Sequence, residues 1–324
     1  MKFGAYLTGP FGQSEELYKV RNEAKRGRGT ESAVPEQIQK DTQRIIQLQQ
    51  EAGLDFILDP LFKQYYLFQS LAEHLPGITA GPQENWLNNN VFYWRPQIQG
   101  PLKHEVGFSS NYLHFDLLPK NGLALAILPS PYTLLTLSDV KGYQNKKSAI
   151  ADLAQLLQEE AQNLVQKGIA RIQYDEPVLA VKQSLQALEK EDLQLFLHGM
   201  MYCGVVRHAR TSIQTYFGNA GPLIPVLVDT PMDCLGLDGT ETNLGAIKKY
   251  NFGSKELALG LLDARNTALP TSEDLIKKII DLAEQLSVST IWITPNTGTE
   301  YRGWSHGHKV VAMLKAIKEG LPQD

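Results

Sequence analysis

The sequence predicts a (β/α)8 barrel. Eight short apolar runs, around residues 2–7, 54–58, 123–128, 170–174, 193–197, 234–237, 257–262 and 289–294, read as buried strands. Helical patterns lie between them at 35–51, 146–167, 205–217, 271–286 and 307–319, and β alternating with α without internal repeats argues for a parallel sheet closed on itself. Each run leads, directly or across one proline, to a polar or charged group. In order these are Thr8, Asp59, Ser130, Asp175 with Glu176, His198, Asp238, Asp263 and Asn296. The loops after the strands of such a barrel line one mouth, so these side chains are expected to converge there.

Length and composition agree with this. The 324 residues show no composition break and suit one barrel domain over 1–324 with decorations. Thirty-one Lys and Arg against 35 Asp and Glu give a net charge of −4, without the basic excess of a nucleic-acid binder. No apolar run is long enough to cross a bilayer, and the N-terminus lacks the basic, apolar and small-residue pattern of a secretory signal. A cytoplasmic location away from membranes is therefore expected. Cys203 and Cys234 are too few for a disulfide framework, fit a reducing compartment, and lie in segments that read as buried.

After the first strand, 9–32 is a long irregular stretch with Arg21, Lys25, Arg26 and Arg28, which reads as a solvated loop or as an anion-binding flap. Ser32, Pro35 and Glu36 mark the start of the helix over 35–51, and Gly53 marks its end. A second insertion, 76–121, holds Trp86, Asn88 to Asn90 and Phe92-Tyr93-Trp94-Arg95-Pro96. Trp94 beside Arg95 can stack a flat heterocycle, or the aromatics can form a satellite core under the loop.

Tyr174-Asp175-Glu176-Pro177 places two adjacent carboxylates at a strand end, where they must point in different directions. One can face the mouth, to hold an ammonium group or act as a general base; a carboxylate there can equally cap the helix that Pro177 begins. In the next group His198 is followed by Tyr202 and Cys203. His198, Cys203 and Asp238 are weak candidates for a zinc site. The five-residue gap is no standard ligand spacing, and a hydrogen-bonded histidine beside an inert thiol explains the pair as well.

Asp263-Ala264-Arg265-Asn266 closes another strand with groups that can bind a polar ligand or pair among themselves. Thr271 to Asp274 reads as an N-cap for the helix that buries Leu275, Ile279, Leu282 and Leu286. The last strand runs into Pro295-Asn296-Thr297-Gly298-Thr299-Glu300, which offers backbone donors to an anion or forms an ordinary capped turn. No dinucleotide or phosphate-loop glycine pattern is present.

Three fragments resemble the cobalamin-independent methionine synthase family: Ile172 to Leu179 with its Asp-Glu-Pro, Pro131-Tyr132-Thr133, and Thr294 to Glu300. The less specific FYWRPQIQG and GLLDARN segments extend the likeness along most of the chain. The resemblance implies a (β/α)8 barrel that moves a methyl group from a methylated pterin, or a corrinoid carrier, to a homocysteine-like thiol. It implies that Asp175 or Glu176 binds the substrate amino group, with Glu176, His198 and Asp238 as further candidates for chemistry. Trp94, Arg95, Ser130, Tyr202, Asp263, Arg265, Asn296 and Glu300 are the candidates for substrate contact.

The family's catalytic barrel holds zinc through a His-x-Cys pair, a glutamate and a later cysteine. Here Met200 stands two residues after His198, Asp238 is a loose match for the glutamate, and Thr297 takes the cysteine's place. The missing thiolates disfavour zinc and resemble a stand-alone relative or the non-catalytic half of a two-barrel synthase. Beside a methyltransferase stand two other readings: a partner subunit of a zinc-bearing synthase, or a zinc-free barrel acting on another small molecule.

Overall fold

The computed structural model describes residues 1–30, 32–65, 67–85, 87 and 92–322. Trp86 and Asn88 to Asn90 lie outside the described residues. The strands are β1 (Lys2–Ala5), β2 (Ile57–Leu58), β3 (Ile78–Asn85), β4 (Phe92–Gln99), β5 (Ala124–Pro129), β6 (Asp139–Lys141), β7 (Arg171–Asp175), β8 (Arg210–Gln214), β9 (Cys234–Asp238), β10 (Glu256–Leu262) and β11 (Thr290–Pro295). The helices are α1 (Glu15–Lys25), α2 (Ala33–Glu51), α3 (Gln69–His74), α4 (Pro131–Thr136), α5 (Lys146–Gln166), α6 (Pro177–Ser184), α7 (Lys190–Cys203), α8 (Ile224–Val228), α9 (Leu244–Ile247), α10 (Ser272–Ala283) and α11 (Trp304–Gly320).

Eight strands pair in the order β1, β11, β10, β9, β8, β7, β5, β2, each parallel to its neighbour. A parallel bridge between Tyr6 and Phe56, with Asp55 N–H donating to the Ala5 carbonyl at 2.9 Å, brings the two ends together. The sheet is a closed (β/α)8 barrel, as the alternation of apolar runs and helices predicts.

Seven of the eight predicted strands and four of the five predicted helices are present. The fifth strand is a correction. Residues 193–197 lie inside α7, and the strand is Arg210–Gln214, within the stretch expected to be helical at 205–217. Thr271 caps α10 by accepting from Asp274 N–H, and Gly53 takes φ +66° where α2 ends. Ser32 precedes α2 without a side-chain capping bond. Both insertions carry structure of their own. The first contains α1, capped by Ser14, and the second contains the antiparallel β3–β4 pair, with β6 beside β4.

Alternate side chains of β7 stack along the barrel interior. Arg171 is 1% exposed and lies among the rings of Tyr6, Phe56 and Trp292, where Glu256 accepts its Nη2 at 2.6 Å and Trp292 Nε1 at 2.8 Å. This pair plugs the N-terminal end. One layer up, Gln173 Nε2 donates to the Thr8 carbonyl (2.8 Å) and to Asp175 Oδ1 (2.7 Å). Asp175 then stands at the C-terminal rim, so the plugged end leaves the other mouth for a ligand.

The second insertion is fastened to the barrel by two buried carboxylates, one at the rim and one on an outer helix. Asp59, at the end of β2, accepts Leu61 N–H (2.8 Å), His114 N–H (2.8 Å) and His114 Nδ1 (3.0 Å). Glu160 on α5 accepts the N–H groups of Gly107, Ser109 and Ser110 and the Ser109 hydroxyl. Asp59, one of the predicted mouth acids, therefore has a structural task. Glu160→Ala is expected to leave three N–H groups unpaired and to destabilise the loop by about 1–3 kcal/mol. Faster proteolytic cleavage within 103–116, with the barrel itself still folded, is the result to look for.

Candidate active site at the barrel mouth

A cavity of about 680 Å³ opens at the C-terminal rim. Its walls carry Phe11, Phe62, Tyr65, Phe68, Phe92, Tyr93, Phe108 and Tyr112, contributed by the loops after β1 and β2 and by the second insertion. Asp175, Tyr216, Arg265, Glu300, Tyr301 and Arg302 bring polar groups to it. The volume lies within the range of small-molecule sites, and flat apolar walls with a few convergent polar groups are the usual composition of one.

The two carboxylates of the Asp-Glu-Pro turn part as their adjacency requires. Asp175 faces the cavity and receives Gln173 Nε2 and, at 3.3 Å, the Tyr216 hydroxyl. Glu176 is fully buried and turned away, where it accepts Leu179 N–H at the start of α6 and the hydroxyls of Thr133 and Ser130. Ser130 in turn caps α4 by accepting from Thr133 N–H (3.0 Å). Glu176 and Ser130 thus hold the wall of the site without lining it. Burial pushes both carboxyls up to about 7, against the hydrogen bonds each accepts; for Asp175 the neighbouring Glu176 adds to the rise.

In the turn after β11, Thr297, Gly298 and Glu300 line the cavity. Glu300 lies so close over Gly298 that a Cβ there would meet its Oε2 at 2.0 Å and the Pro10 backbone at 2.7 Å, which is why this position takes glycine. Glu300 is open to solvent, and its partial desolvation in the cavity wall, with Asp175 nearby as a further cause, raises its carboxyl above the ordinary carboxylate range.

The remaining rim residues tie the loops to one another. Asp238 Oδ1 accepts from Thr240 N–H (3.0 Å), Thr240 Oγ1 (2.6 Å) and Glu241 N–H (3.3 Å), and its Oδ2 accepts Phe217 N–H at 3.1 Å. Asn296 donates to Thr240 Oγ1 (3.2 Å) and Asp263 Oδ1 (3.3 Å) and accepts Ala264 N–H. Arg265 pairs with Asp263 and Glu241 at 3.3 Å and lies over the Phe217 ring, and of this network it is the member that reaches the cavity.

Five predicted site residues fall elsewhere. His198 and Tyr202 sit on α7 outside the barrel, ring to ring at 5.2 Å, because the run before them is helix and not strand. Cys203, at the end of the same helix, is fully buried, and its carbonyl accepts the Tyr174 hydroxyl. Trp94 and Arg95 lie on β4 off the cavity, with Arg95 paired to Glu84 at 3.1 Å, while their neighbours Phe92 and Tyr93 line it. His198, Cys203 and Asp238 therefore do not converge.

Tyr216, Phe11, Phe62, Tyr65, Tyr301 and Arg302 are the cavity residues that the strand-end pattern passes over. Tyr216 was within reach. The β-branched residues Thr211, Ile213 and Thr215, alternating along the chain and followed by Tyr216 and Gly218, are a strand signature, and the 14-residue amphipathic segment 190–203 is too long for a barrel strand.

The cavity also decides whether the residues fit a zinc ion. Among the described residues that line it there is no histidine and no cysteine. Cys203 is on the outer helix, and Cys234 begins β9, four residues and roughly 13 Å below the rim at about 3.3 Å per residue. Asp238 has one oxygen occupied by its own turn and the other by Phe217 N–H of the preceding loop, and among the described residues no group of three His, Cys, Asp or Glu side chains is placed to share an ion. The donor set does not fit tetrahedral zinc, which takes nitrogen and sulfur ligands.

A closed barrel plugged at one end, with an acid-bearing, aromatic-walled cavity at the other, has the architecture of a (β/α)8 barrel enzyme. The chain belongs to the cobalamin-independent synthase family, whose catalytic-domain model matches residues 5–319. It is 25% identical over 280 residues to the methionine synthase of Saccharolobus solfataricus, covering 83% of this chain and 80% of that protein. It is 23% identical to the 5-methyltetrahydropteroyltriglutamate–homocysteine methyltransferase of Streptomyces griseus, over 97% of this chain but 42% of that longer protein. Two solved structures share the fold. A putative vitamin-B12 independent methionine synthase from Listeria monocytogenes aligns at TM-score 0.74 with 19% identity over 98% of each chain. A B12-independent methionine synthase from a Shewanella species, in complex with selenomethionine, aligns at 0.70 with 17% identity over 98% of this chain and 96% of that one. The family resemblance read from the Asp-Glu-Pro and Thr-Pro-Asn-Thr-Gly turns is confirmed. Among the described residues no helix is long and apolar enough to cross a membrane.

Proposed function

We propose that this barrel transfers a methyl group from a methylated pterin to a homocysteine-like thiol, with both substrates held in the mouth cavity. The observation that carries the reading is Asp175, a carboxylate presented inside an aromatic-walled space at the strand end that bears the family's Asp-Glu-Pro turn. An ammonium group meeting Asp175 gains a charge-assisted hydrogen bond and draws the carboxyl into its ionised form. The exposed rings of Tyr65 and Phe92 offer flat apolar surface for a pterin, each favourable contact worth about 0.5–1.5 kcal/mol beyond area burial. Binding two reactants in one enclosed volume contributes by proximity, before any proton moves.

The test is direct. Purified protein incubated with homocysteine and 5-methyltetrahydropteroyl glutamates is expected to form methionine, read by mass spectrometry, and to bind the pterin with quenching of tyrosine and tryptophan fluorescence. Protein that neither binds the pterin nor yields methionine, also when a methylcorrinoid is offered as donor, refutes the proposal.

A further inference from the structure

The mouth lacks zinc donors and yet places one carboxyl where the family's last metal-binding turn runs. We infer that Glu300 does the work of the missing metal: it accepts the proton of the substrate thiol and passes it to the pterin nitrogen. This rests on the methyl-transfer reading and deepens it.

Glu300 belongs to the turn in which Thr297 replaces the metal-binding cysteine, and its carboxylate is turned into the cavity over Gly298. Around it the cavity presents Asp175 from β7, Tyr216 beyond β8, Arg265 beyond β10, and Tyr301 and Arg302 of its own loop. The two arginines are engaged elsewhere: Arg265 pairs with Asp263 and Glu241, and Arg302 Nε donates to the Arg265 carbonyl. Asp175 is held by Gln173 and Tyr216, which suits it to anchor an ammonium group and leaves Glu300 for the proton.

The step balances on one group. The S–H proton moves to the Glu300 carboxylate, and the sulfur electron pair forms the S–CH3 bond. The electrons of the breaking N–CH3 bond stay on the pterin nitrogen, which takes the same proton back from Glu300. Nothing is oxidised or reduced, and Glu300 ends as it began. The ionised form of Glu300 takes the thiol proton, and a carboxyl raised above the ordinary carboxylate range holds that proton long enough to return it to the pterin nitrogen.

Three measurements test the inference. Zn²⁺ titrated into the purified protein against a chelator is expected to show no stoichiometric tight binding. Homocysteine bound at pH 7.5 is expected to show the ultraviolet thiolate band with wild-type protein and to lose it with Glu300→Gln, which keeps the side chain's shape. The same variant is expected to lose about 10²–10⁴-fold in rate at pH 7 and to recover much of it above pH 9, where the thiol ionises by itself. Stoichiometric zinc with activity lost on chelation, or a thiolate band and pH profile unchanged in Glu300→Gln, overturns this inference and leaves methyl transfer standing. A cavity that binds neither thiol nor pterin overturns both.

Discussion

Asp175→Asn is expected to damage substrate binding severely and, above neutral pH, to stabilise the fold. A charge-assisted contact in a desolvated site is worth about 2–5 kcal/mol, so kcat/KM should fall by about 10²-fold or more. The loss should fall chiefly on KM for the thiol substrate, since Asp175 holds its ammonium equally before and during transfer. An unchanged KM for homocysteine would refute this role.

The stability effect follows from the direction of the shift. Burial, helped by Glu176, pushes Asp175 up to about 7 in the folded chain, whereas the unfolded chain releases this proton near pH 4. Between these values the native state binds a proton that the unfolded state has lost. The group's contribution is therefore fully present at low pH and disappears as pH rises through 7. Asparagine cannot titrate. The variant should unfold at the same urea concentration as wild type near pH 4 and at a higher one at pH 8, by on the order of 1 kcal/mol after solvent screening. Buried Glu176 shifts in the same direction, so wild-type stability should also decline from pH 5 to pH 8.

Glu256→Ala is expected to cost the most stability. It removes the partner of Arg171 at 2.6 Å, the acceptor of Trp292 Nε1 at 2.8 Å and a contact to Arg210 at 3.0 Å, at the floor of the barrel. An uncompensated guanidinium among Tyr6, Phe56 and Trp292 is destabilising by about 3–5 kcal/mol. Urea unfolding checks this. A midpoint within error of wild type would mean that Arg171 reaches water and that the floor is open. Glu256→Met with Arg171→Met, which removes both charges and fills the space, should recover much of the loss.

Much of the barrel was legible because most of its strands are apolar enough to announce themselves. The run Ala124 to Leu128 and the run Leu257 to Leu262 pack on both faces and read as continuous apolar segments. The fifth strand did not, for a physical reason. Its inward face carries Ser212 and Gln214 beside the polar layer of Gln173, so a strand of Arg-Thr-Ser-Ile-Gln lacks the expected apolar signature. The adjacent helix α7 buries Leu195, Phe196 and Met200 against the barrel, and five of its residues mimic a core strand. His198, Tyr202 and Cys203 were drawn to the mouth by that exchange, and Tyr216 was left out by it.

The sequence by itself determined the barrel, the order of its acids and the family, because apolar periodicity and the Asp-Glu-Pro and Pro-Asn-Thr-Gly turns are local properties of the chain. Only the tertiary structure decided that Asp175 faces the ligand space while Glu176 caps a helix. Only it could show that Asp59 and Glu160 fasten a loop, and that Glu300 lines the cavity from the turn in which Thr297 takes the cysteine's place. Local sequence sets which backbone each residue adopts, but which side chains meet depends on closing the sheet between Tyr6 and Phe56, a contact between strands 50 residues apart.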